Sequence, residues 1–248
     1  MKTVYKFLFA AVLMGTVSCK EEFLQTEPTE LISANQIAEA SALNPSLQSA
    51  NVAGIYATMY GAGTGGTTGH DDFGHKSYDM YGDLLSGDMA LTSVIYGWFR
   101  TITEFQTTVD YTFQDNYQVW RFYYRLIFAA NTVIDGLGGS DAIPATAAGR
   151  WYMGQAKAMR AFSYFYLAQY FQNEYNPSEK ILPLYKNTVD PNLPKSTAAD
   201  VYALMVKDLT DAQTLLADFN RANKSEVNAA VAKGMLAYVH GAMGNNAA

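Results

Sequence analysis

The single cysteine of this 248-residue chain lies where the chemistry of protein lipidation would use it. A short basic start precedes an unbroken apolar run over residues 7–14, and the mostly small residues 16–18 lead directly to Cys19. The run is too short to span a bilayer as a helix, which takes about 20 residues, but it is typical of a secretory signal peptide. We therefore expect residues 1–18 to be a signal peptide and Cys19, in a lipobox-like context, to carry a lipid. The alternative is a signal peptide followed by an incidental cysteine.

Two histidines and two aspartates lie close together in the glycine-rich stretch 61–75. His70, Asp71, Asp72 and His75 could in principle hold a metal ion, but their spacing matches no closed metal site. We expect this stretch to be a flexible, solvated loop that binds no metal.

An enzyme would need a nucleophile or a suitably spaced pair of acids. A glycosidase needs only two carboxylates, and segment 76–113 contains Asp83, Asp88, Glu104 and Asp110. The sequence does not show that any pair converges, and it contains neither a Gly-x-Ser-x-Gly elbow nor a His-Glu-x-x-His motif. We therefore expect no catalysis and no cofactor.

Composition and charge exclude several classes of protein. Hydrophobic residues make up 49% of the chain and charged residues only 16%, which excludes an intrinsically disordered chain and a coiled coil. Acidic residues outnumber basic ones by 23 to 17, and the net charge of −6 disfavours a nucleic-acid partner. A single cysteine excludes an intrachain disulfide and a zinc site built on paired cysteines.

Helical periodicity is strongest in the second half of the chain. From residue 114 the apolar positions follow a 3.6-residue period and share one helix face: Val119, Phe122, Tyr123, Leu126, Ile127, Ala130, Val133, Ile134 and Leu137. Residues 146–172 are apolar almost all round, which predicts a largely buried helix. Residues 76–113 show no sustained period and should be irregular, with short helices.

Further helices are predicted at 44–60 and after a capping-box variant at Thr197–Asp200. The last predicted helix is 226–243, where the small residues Ala230, Gly234 and Ala242 permit close helix approach. No stretch alternates with a period of two, so we expect no large sheet. The predicted fold class is all-α, with consecutive helices stacked as a helical repeat and interrupted by long irregular loops.

Several motifs together resemble the SusD/RagB family of outer-membrane nutrient-binding lipoproteins. They follow in that family's usual order: Ser18-Cys19-Lys20-Glu21-Glu22-Phe23-Leu24, Tyr81 to Asp88, Trp120-x-x-x-Tyr124-x-x-Ile127-x-x-Ala130-Asn131, Gln155 to Leu167 with Arg160-Ala161-Phe162, Leu182-Pro183-Leu184, Asp200-Val201-Tyr202 and Lys207-Asp208-Leu209. The resemblance spans nearly all of residues 18–244.

The resemblance implies a scaffold of tetratricopeptide-like helix pairs. Because members are usually longer than this chain, residues 44–248 are expected to be the N-terminal part of a SusD-like helical domain, truncated at the C-terminus. Residues 19–43 would then form the lipidated tether and linker. Within them, Lys20-Glu21-Glu22 resembles the short acidic export tag of surface lipoproteins.

The resemblance also implies a function. Family members capture glycans or other oligomeric nutrients at the cell surface and deliver them to a TonB-dependent, SusC-like transporter, without catalysis. This protein would then be lipid-anchored in the outer membrane and surface-exposed, with the lipid as its only membrane contact. The alternative is a helical-repeat adaptor that binds only protein in the cell envelope and no small ligand.

The expected ligand contacts lie in the loops, because aromatic residues at helical spacing are used for packing while loops are free to present side chains. Trp98 is the first candidate ligand-binding residue, followed by Phe73 and Arg100. Aromatic faces meet the C–H groups of sugars, and polar groups hydrogen-bond to the hydroxyls. The competing interpretation makes Trp98 a core anchor, which the usual burial of tryptophan favours. Trp120 and Trp151 lie on helical faces and are expected to belong to the core.

Cys19→Ser is expected to abolish lipidation, because the thiol that carries the lipid is removed. Labelling of cells with a fatty-acid analogue should mark the unsubstituted protein and not the variant, and the variant should leave the membrane fraction. The matched variant Ser18→Ala should remain labelled. Unchanged acyl labelling of Cys19→Ser would contradict the expectation.

Overall fold

The part of the chain that the computed structural model describes comprises Gln36, Ala40, Ser41 and residues 43–245. The chain divides into two units, residues 1–37 and 38–248, and almost all described residues belong to the second. The predicted signal peptide 1–18 and the predicted lipidation site Cys19 lie outside the described residues, as does most of the tether 19–43.

The described chain is mostly helical, and the all-α prediction is confirmed. A 3₁₀ turn at Pro45–Leu47 leads into the first α-helix. The elements follow in chain order as α1 Gln48–Thr58, α2 His75–Ser86, α3 Arg100–Thr103, α4 Gln106–Val109, α5 Gln114–Gly136, α6 Ala147–Phe171, β1 Lys180–Pro183, β2 Lys195–Thr197, α7 Ala198–Leu215 and α8 Ala229–Ala242. None of the described helices combines the length and the apolar character needed to cross a membrane.

The main helices begin close to their predicted positions because capping side chains mark their starts. Oγ1 of Thr197 accepts a hydrogen bond from the N–H of Asp200 at 3.2 Å and donates to the Asp200 carboxylate at 2.6 Å, which confirms the predicted capping-box variant. Thr146 and Asn228 cap α6 and α8 through side-chain oxygens at 3.1 and 3.0 Å from backbone N–H groups. Each bond satisfies an N–H that the first helical turn leaves unpaired.

Helix α2 occupies a segment that the sequence predicted to be irregular. Its buried side consists of Tyr78, Tyr81 and Leu84, together with a serine. The tyrosine hydroxyls donate hydrogen bonds to polar side chains inside the molecule. Because tyrosine and serine carry little apolar signal, the 3.6-residue period of this helix is weak in the sequence. The remainder, residues 87–113, is irregular apart from α3 and α4, as predicted.

A two-stranded antiparallel sheet lies in the connector between α6 and α7. Strand β1 pairs with β2, with Pro183 opposite Lys195. Ile181 and Leu182 of β1 are buried, and the strand contacts both α6 and α7. The prediction of no large sheet is confirmed within the described residues. The buried residues of this small sheet cover one side of the core.

Helices α5 to α8 form a succession in which each helix packs against the next. The predicted apolar face of α5 is buried, apart from its last member. Helix α6 approaches the end of α7 closely at Gly154, where an added Cβ would lie 2.7 Å from Leu216. The prediction for Gly234 is wrong, because this residue faces open space. Helix α8 packs instead through Ala232 and Val239, two turns apart.

A fully buried arginine, Arg160 of α6, joins four segments of the core. Its Nε and Nη2 donate to the two carboxylate oxygens of Asp208 on α7, at 2.7 and 2.8 Å. Its Nη1 donates to Asn131 on α5 at 2.8 Å, to the Lys186 carbonyl at 3.0 Å and to the Ser140 hydroxyl at 3.1 Å. Burial lowers the pKa of Arg160, but the charge and hydrogen bonds of Asp208 outweigh that effect and raise it.

Arg160→Leu is expected to destabilise the fold by about 3–5 kcal/mol, because it leaves Asp208 buried without its cation. The matched control is Lys207→Gln, which removes a half-exposed lysine paired with Asp141 and Asp211 and should cost at most about 1 kcal/mol. Urea unfolding followed by circular dichroism measures both free energies. Equal losses in the two variants would contradict the central role of the buried pair.

Candidate functional site

The glycine-rich loop 61–74 is closed by one buried carboxylate. Asp72 accepts hydrogen bonds from the N–H groups of Gly65 and Thr67, at 2.8 and 3.0 Å, and from the Thr67 hydroxyl at 3.0 Å. The hydroxyl of Tyr78 on α2 donates to it at 3.3 Å. The expectation of a flexible, solvated loop is therefore wrong, because only 1% of Asp72 is exposed and its carboxylate replaces solvent as the partner of the loop backbone.

The same loop is docked on helix α5. Nη1 of Arg125 donates to the Thr64 carbonyl at 3.2 Å. Gly66, with a φ of 88°, lies against Arg121, and an added Cβ would come within 2.4 Å of the guanidinium Nε. Glycine is the residue that combines this backbone conformation with such a close approach.

The segment between α2 and α5 is held by the first turn of α5. Asp115 accepts a hydrogen bond from the Thr101 hydroxyl at 2.8 Å. Asn116 donates to the carbonyl oxygens of Thr107 and Asp110, at 3.0 and 3.1 Å. The glycine-rich loop and this segment therefore share α5 as their support.

Trp98 lies at the surface where this segment meets the glycine-rich loop. Its indole stacks on the ring of His70, with centroids 5.2 Å apart and planes inclined by 13°, and 37% of the residue is exposed. The interpretation of Trp98 as a core anchor is therefore wrong. The inward position belongs to Phe99, whose ring packs edge-on against the buried Tyr81 at a centroid distance of 5.7 Å.

Arg100 and Phe73, the other two predicted ligand residues, lie on the same two segments as Trp98 and His70. Arg100 is the exposed first residue of α3, and Phe73 is half-buried near the end of the glycine-rich loop. Within the described residues, neither side chain makes a ring or cation–π contact with Trp98. The sequence indicated His70 only as a possible metal ligand, and no local pattern marks it as the partner of a tryptophan 28 positions away.

Buried carboxylates lie beneath this surface. Burial raises the pKa of Asp71, and the negative charges of Asp115 and Asp72 raise it further. Burial also lowers the pKa of His75, against the opposing charge of Asp79. In the part of the chain that is described, no three His, Cys, Asp or Glu side chains are grouped so as to hold a metal ion.

Aromatic residues on the helices are used for packing, as predicted. The ring of Trp120 packs edge-on against Phe171 at a centroid distance of 5.1 Å, and Trp151 donates its indole N–H to Asp218 at 2.8 Å. Both tryptophans are half-buried against the core. A separate cavity of about 400 Å³ beside Trp120 includes the exposed ring of Phe128.

The arrangement around Trp98 suits binding better than a reaction. An indole face can meet the C–H groups of a sugar, while neighbouring polar groups such as Arg100 hydrogen-bond to its hydroxyls. A glycosidase would need one acid whose pKa is raised. For Asp110, one of the candidate acids, hydrogen bonds from Thr112 lower the pKa instead. Asp71, whose pKa burial raises, is only 8% exposed and presents little surface to a substrate.

Residues 67–239 match a SusD-like family that is described as starch-binding and associating with the outer membrane. The match covers more than half of the chain. It includes Trp98, all helices from α2 to α7 and most of α8. A comparison with curated proteins gave no match.

Several solved structures share this fold. A SusD-like carbohydrate-binding protein from Bacteroides vulgatus is 24% identical, with a TM-score of 0.66 over 77% of this chain and 40% of its own. Surface glycan-binding protein A from Bacteroides thetaiotaomicron, in complex with laminarihexaose, is 17% identical, with a TM-score of 0.59 over 77% and 38%. A laminarin-binding SusD-like protein is 21% identical, with a TM-score of 0.59 over 81% and 40%. The chain thus spans about two fifths of the length of these structures.

Asp72→Ala is expected to destabilise the glycine-rich loop by about 2 kcal/mol, because two backbone N–H groups lose their buried acceptor. Hydrogen exchange at the amides of Gly65 and Thr67 should accelerate. Asp88→Ala, which removes an exposed carboxylate, is the matched control and should leave both rates unchanged. Slow exchange that survives in Asp72→Ala would mean that other contacts close the loop.

Proposed function

The chain belongs to the SusD-like family, described as starch-binding and associated with the outer membrane, and on that basis we propose that it captures glycans or other oligomeric nutrients at the cell surface. It then delivers them to a TonB-dependent, SusC-like transporter. The helical scaffold within residues 44–248 presents the loops that hold the ligand. Residues 1–18 direct export, and residues 19–43, lipidated at Cys19, tether the protein to the outer membrane.

Support for a glycan ligand comes from proteins of the same fold. One is a laminarin-binding protein, and another was solved in complex with laminarihexaose. The family description also specifies binding and names no reaction. These similarities favour an oligosaccharide as the ligand. Binding it does not require any catalytic group.

The observation that carries the proposal is the exposed indole of Trp98 on a rigid support. Trp98 rests on His70, and the two segments that carry these rings are anchored by Asp72 and Asp115. Because the platform exists before the ligand arrives, little conformational entropy is lost on binding. Arg100, exposed two residues after Trp98, adds hydrogen-bond donors for sugar hydroxyls.

The proposed location rests on the family's association with the outer membrane. The acidic excess of the chain, with a net charge of −6, does not favour attraction to anionic lipid head groups. A lipid on Cys19 would therefore provide the membrane contact. Anchored in this way, the helical scaffold is free to meet the transporter and the glycan.

A protein-only adaptor is the second candidate, and an apolar cleft between α6 and α8 favours it. The cleft has a volume of about 500 Å³, and Phe165, Met235 and Tyr238 are among its lining residues. Tyr238 is 72% exposed. Apolar grooves between helices commonly accept an amphipathic helix of a partner. An adaptor of this kind would bind protein through the cleft and would bind no oligosaccharide.

Trp98→Ala is expected to weaken oligosaccharide binding about five-fold, because a stacking aromatic ring contributes on the order of 1 kcal/mol. Calorimetric titration with maltoheptaose and with laminarihexaose measures the affinity, and the thermal midpoint should change little. The matched control is Phe128→Ala, which removes a ring that is 57% exposed beside a different cavity and should leave the affinity unchanged.

Two results would contradict this proposal in different ways. A large loss of thermal stability in Trp98→Ala would mean that the indole mainly stabilises the fold and is not a ligand platform. If the unsubstituted chain binds neither oligosaccharide, the adaptor becomes the preferred function.

A further inference from the structure

Three residues around Trp98 that are not glycine have a left-handed backbone. Tyr96, Phe99 and Phe105 have φ values of 62°, 59° and 56°, and Gly97 has a φ of 85°. A residue with a Cβ is strained in this region, because the Cβ lies too close to the following carbonyl oxygen. Such strain persists where other contacts compensate for it, and it concentrates at binding sites.

Packing accounts for the strain at Phe99, the residue that directly follows Trp98. Phe99 is half-buried, with its ring edge-on to Tyr81 at a centroid distance of 5.7 Å. Phe105 links α3 to α4, where its N–H donates to the Ile102 carbonyl at 3.0 Å. Tyr96 differs, because it is 91% exposed. Among the described residues, its ring meets no other ring and its hydroxyl has no hydrogen-bond partner, so the chain itself does not compensate for the strain.

Tyrosine is therefore a costly residue at position 96 of the free protein. Glycine adopts the left-handed conformation without steric penalty, and asparagine adopts it at a smaller one. Either would leave the same neighbouring contacts intact, since the tyrosine ring covers almost nothing. The ring of Tyr96 gains a role only when another molecule contacts it.

We infer that Tyr96 is a second aromatic platform of the glycan site beside Trp98, and that the site therefore prefers chains of two or more sugars to a single sugar. This inference rests on the proposed function. Only Gly97 separates the two residues, so their Cα atoms lie at most about 7.6 Å apart. That separation is comparable with the spacing of neighbouring sugar units. Because each ring can cover the C–H face of one sugar, a chain of two or more sugars can contact both rings, whereas a single sugar contacts one.

The local turn fixes the backbone that presents Tyr96. The N–H of Arg100 donates to the Gly97 carbonyl at 3.2 Å, and Phe99 is held beneath the turn by Tyr81. Tyr96 itself is 91% exposed, so its ring is accessible before any ligand is present. A platform that is positioned in advance loses less entropy when the ligand binds.

The test compares four variants of the full chain. Tyr96→Gly removes the ring and the strain, Tyr96→Phe keeps the ring, and Trp98→Ala serves as the reference for the proposed function. Tyr111→Ala is the matched control, because Tyr111 is 89% exposed on the same segment but has no left-handed backbone. Calorimetric titration gives affinities for maltoheptaose and laminarihexaose and for glucose, the sugar unit of both. Thermal unfolding without sugar gives the stability.

Tyr96→Gly is expected to weaken binding of the longer sugars about five-fold and to change glucose binding little, because a single sugar can still bind to Trp98. Its thermal midpoint should stay the same or rise, because strain is relieved and no buried surface is lost. Tyr96→Phe and Tyr111→Ala should both match the unsubstituted chain in affinity.

The outcomes separate this inference from the proposed function. If Trp98→Ala weakens binding of the longer sugars and Tyr96→Gly does not, the inference alone is wrong. If neither variant weakens binding, or the unsubstituted chain binds no sugar, the proposed function fails and the inference fails with it. If the thermal midpoint of Tyr96→Gly falls by more than about 4 °C, the ring has a structural role and the inference is overturned.

Discussion

The bidentate pair between Arg160 and Asp208 is the interaction on which the remaining structure depends. A guanidinium group keeps its charge in any protein environment, so burial obliges the fold to supply acceptors for all of its nitrogens. Here the acceptors come from α7, from Asn131 of α5, and from Ser140 and Lys186 in the two connectors. Because desolvation is costly, such a pair contributes less to net stability than to the choice of one arrangement. The four segments satisfy Arg160 together only when each is in register.

Helix α5 transmits that constraint to the candidate site. Its C-terminal half enters the buried network through Asn131, while Asp115, Asn116 and Arg125 hold the two segments that bring His70 and Trp98 together. One helix is therefore part of the core and also the support of the loops. The platform of His70 and Trp98 is therefore fixed to the core through α5, although the segments that form it are mostly irregular.

The sequence predicted the scaffold better than the site, and the reason is physical. Periodicity and caps depend on residues close together in the chain, so the bounds of α5, α6 and α7 follow closely from the sequence. The motifs that suggested the family contain Asn131, Arg160 and Asp208, which are the residues of the buried network. Trp98 lies in none of those motifs. Its exposure depends on Phe99 taking the inward position and on His70 lying opposite, and neither is encoded locally. Likewise, Asp72 in a glycine-rich stretch has the appearance of a solvated residue until Gly65 and Tyr78 surround it.

The hydrogen bonds that hold the loops are made mainly with backbone groups of the loops. Asp72 binds the N–H groups of positions 65 and 67, Arg125 binds the carbonyl of position 64, and Asn116 binds the carbonyls of positions 107 and 110. Backbone groups are the same whatever side chain a position carries, unless it is proline. Apart from glycines that leave no room for a Cβ, such as Gly65 and Gly66, most positions on these loops can therefore change their side chain without loss of the loop shape. A scaffold built in this way is evolvable, because one frame can acquire different sets of rings and donors, and so different nutrients, while the anchors stay as they are.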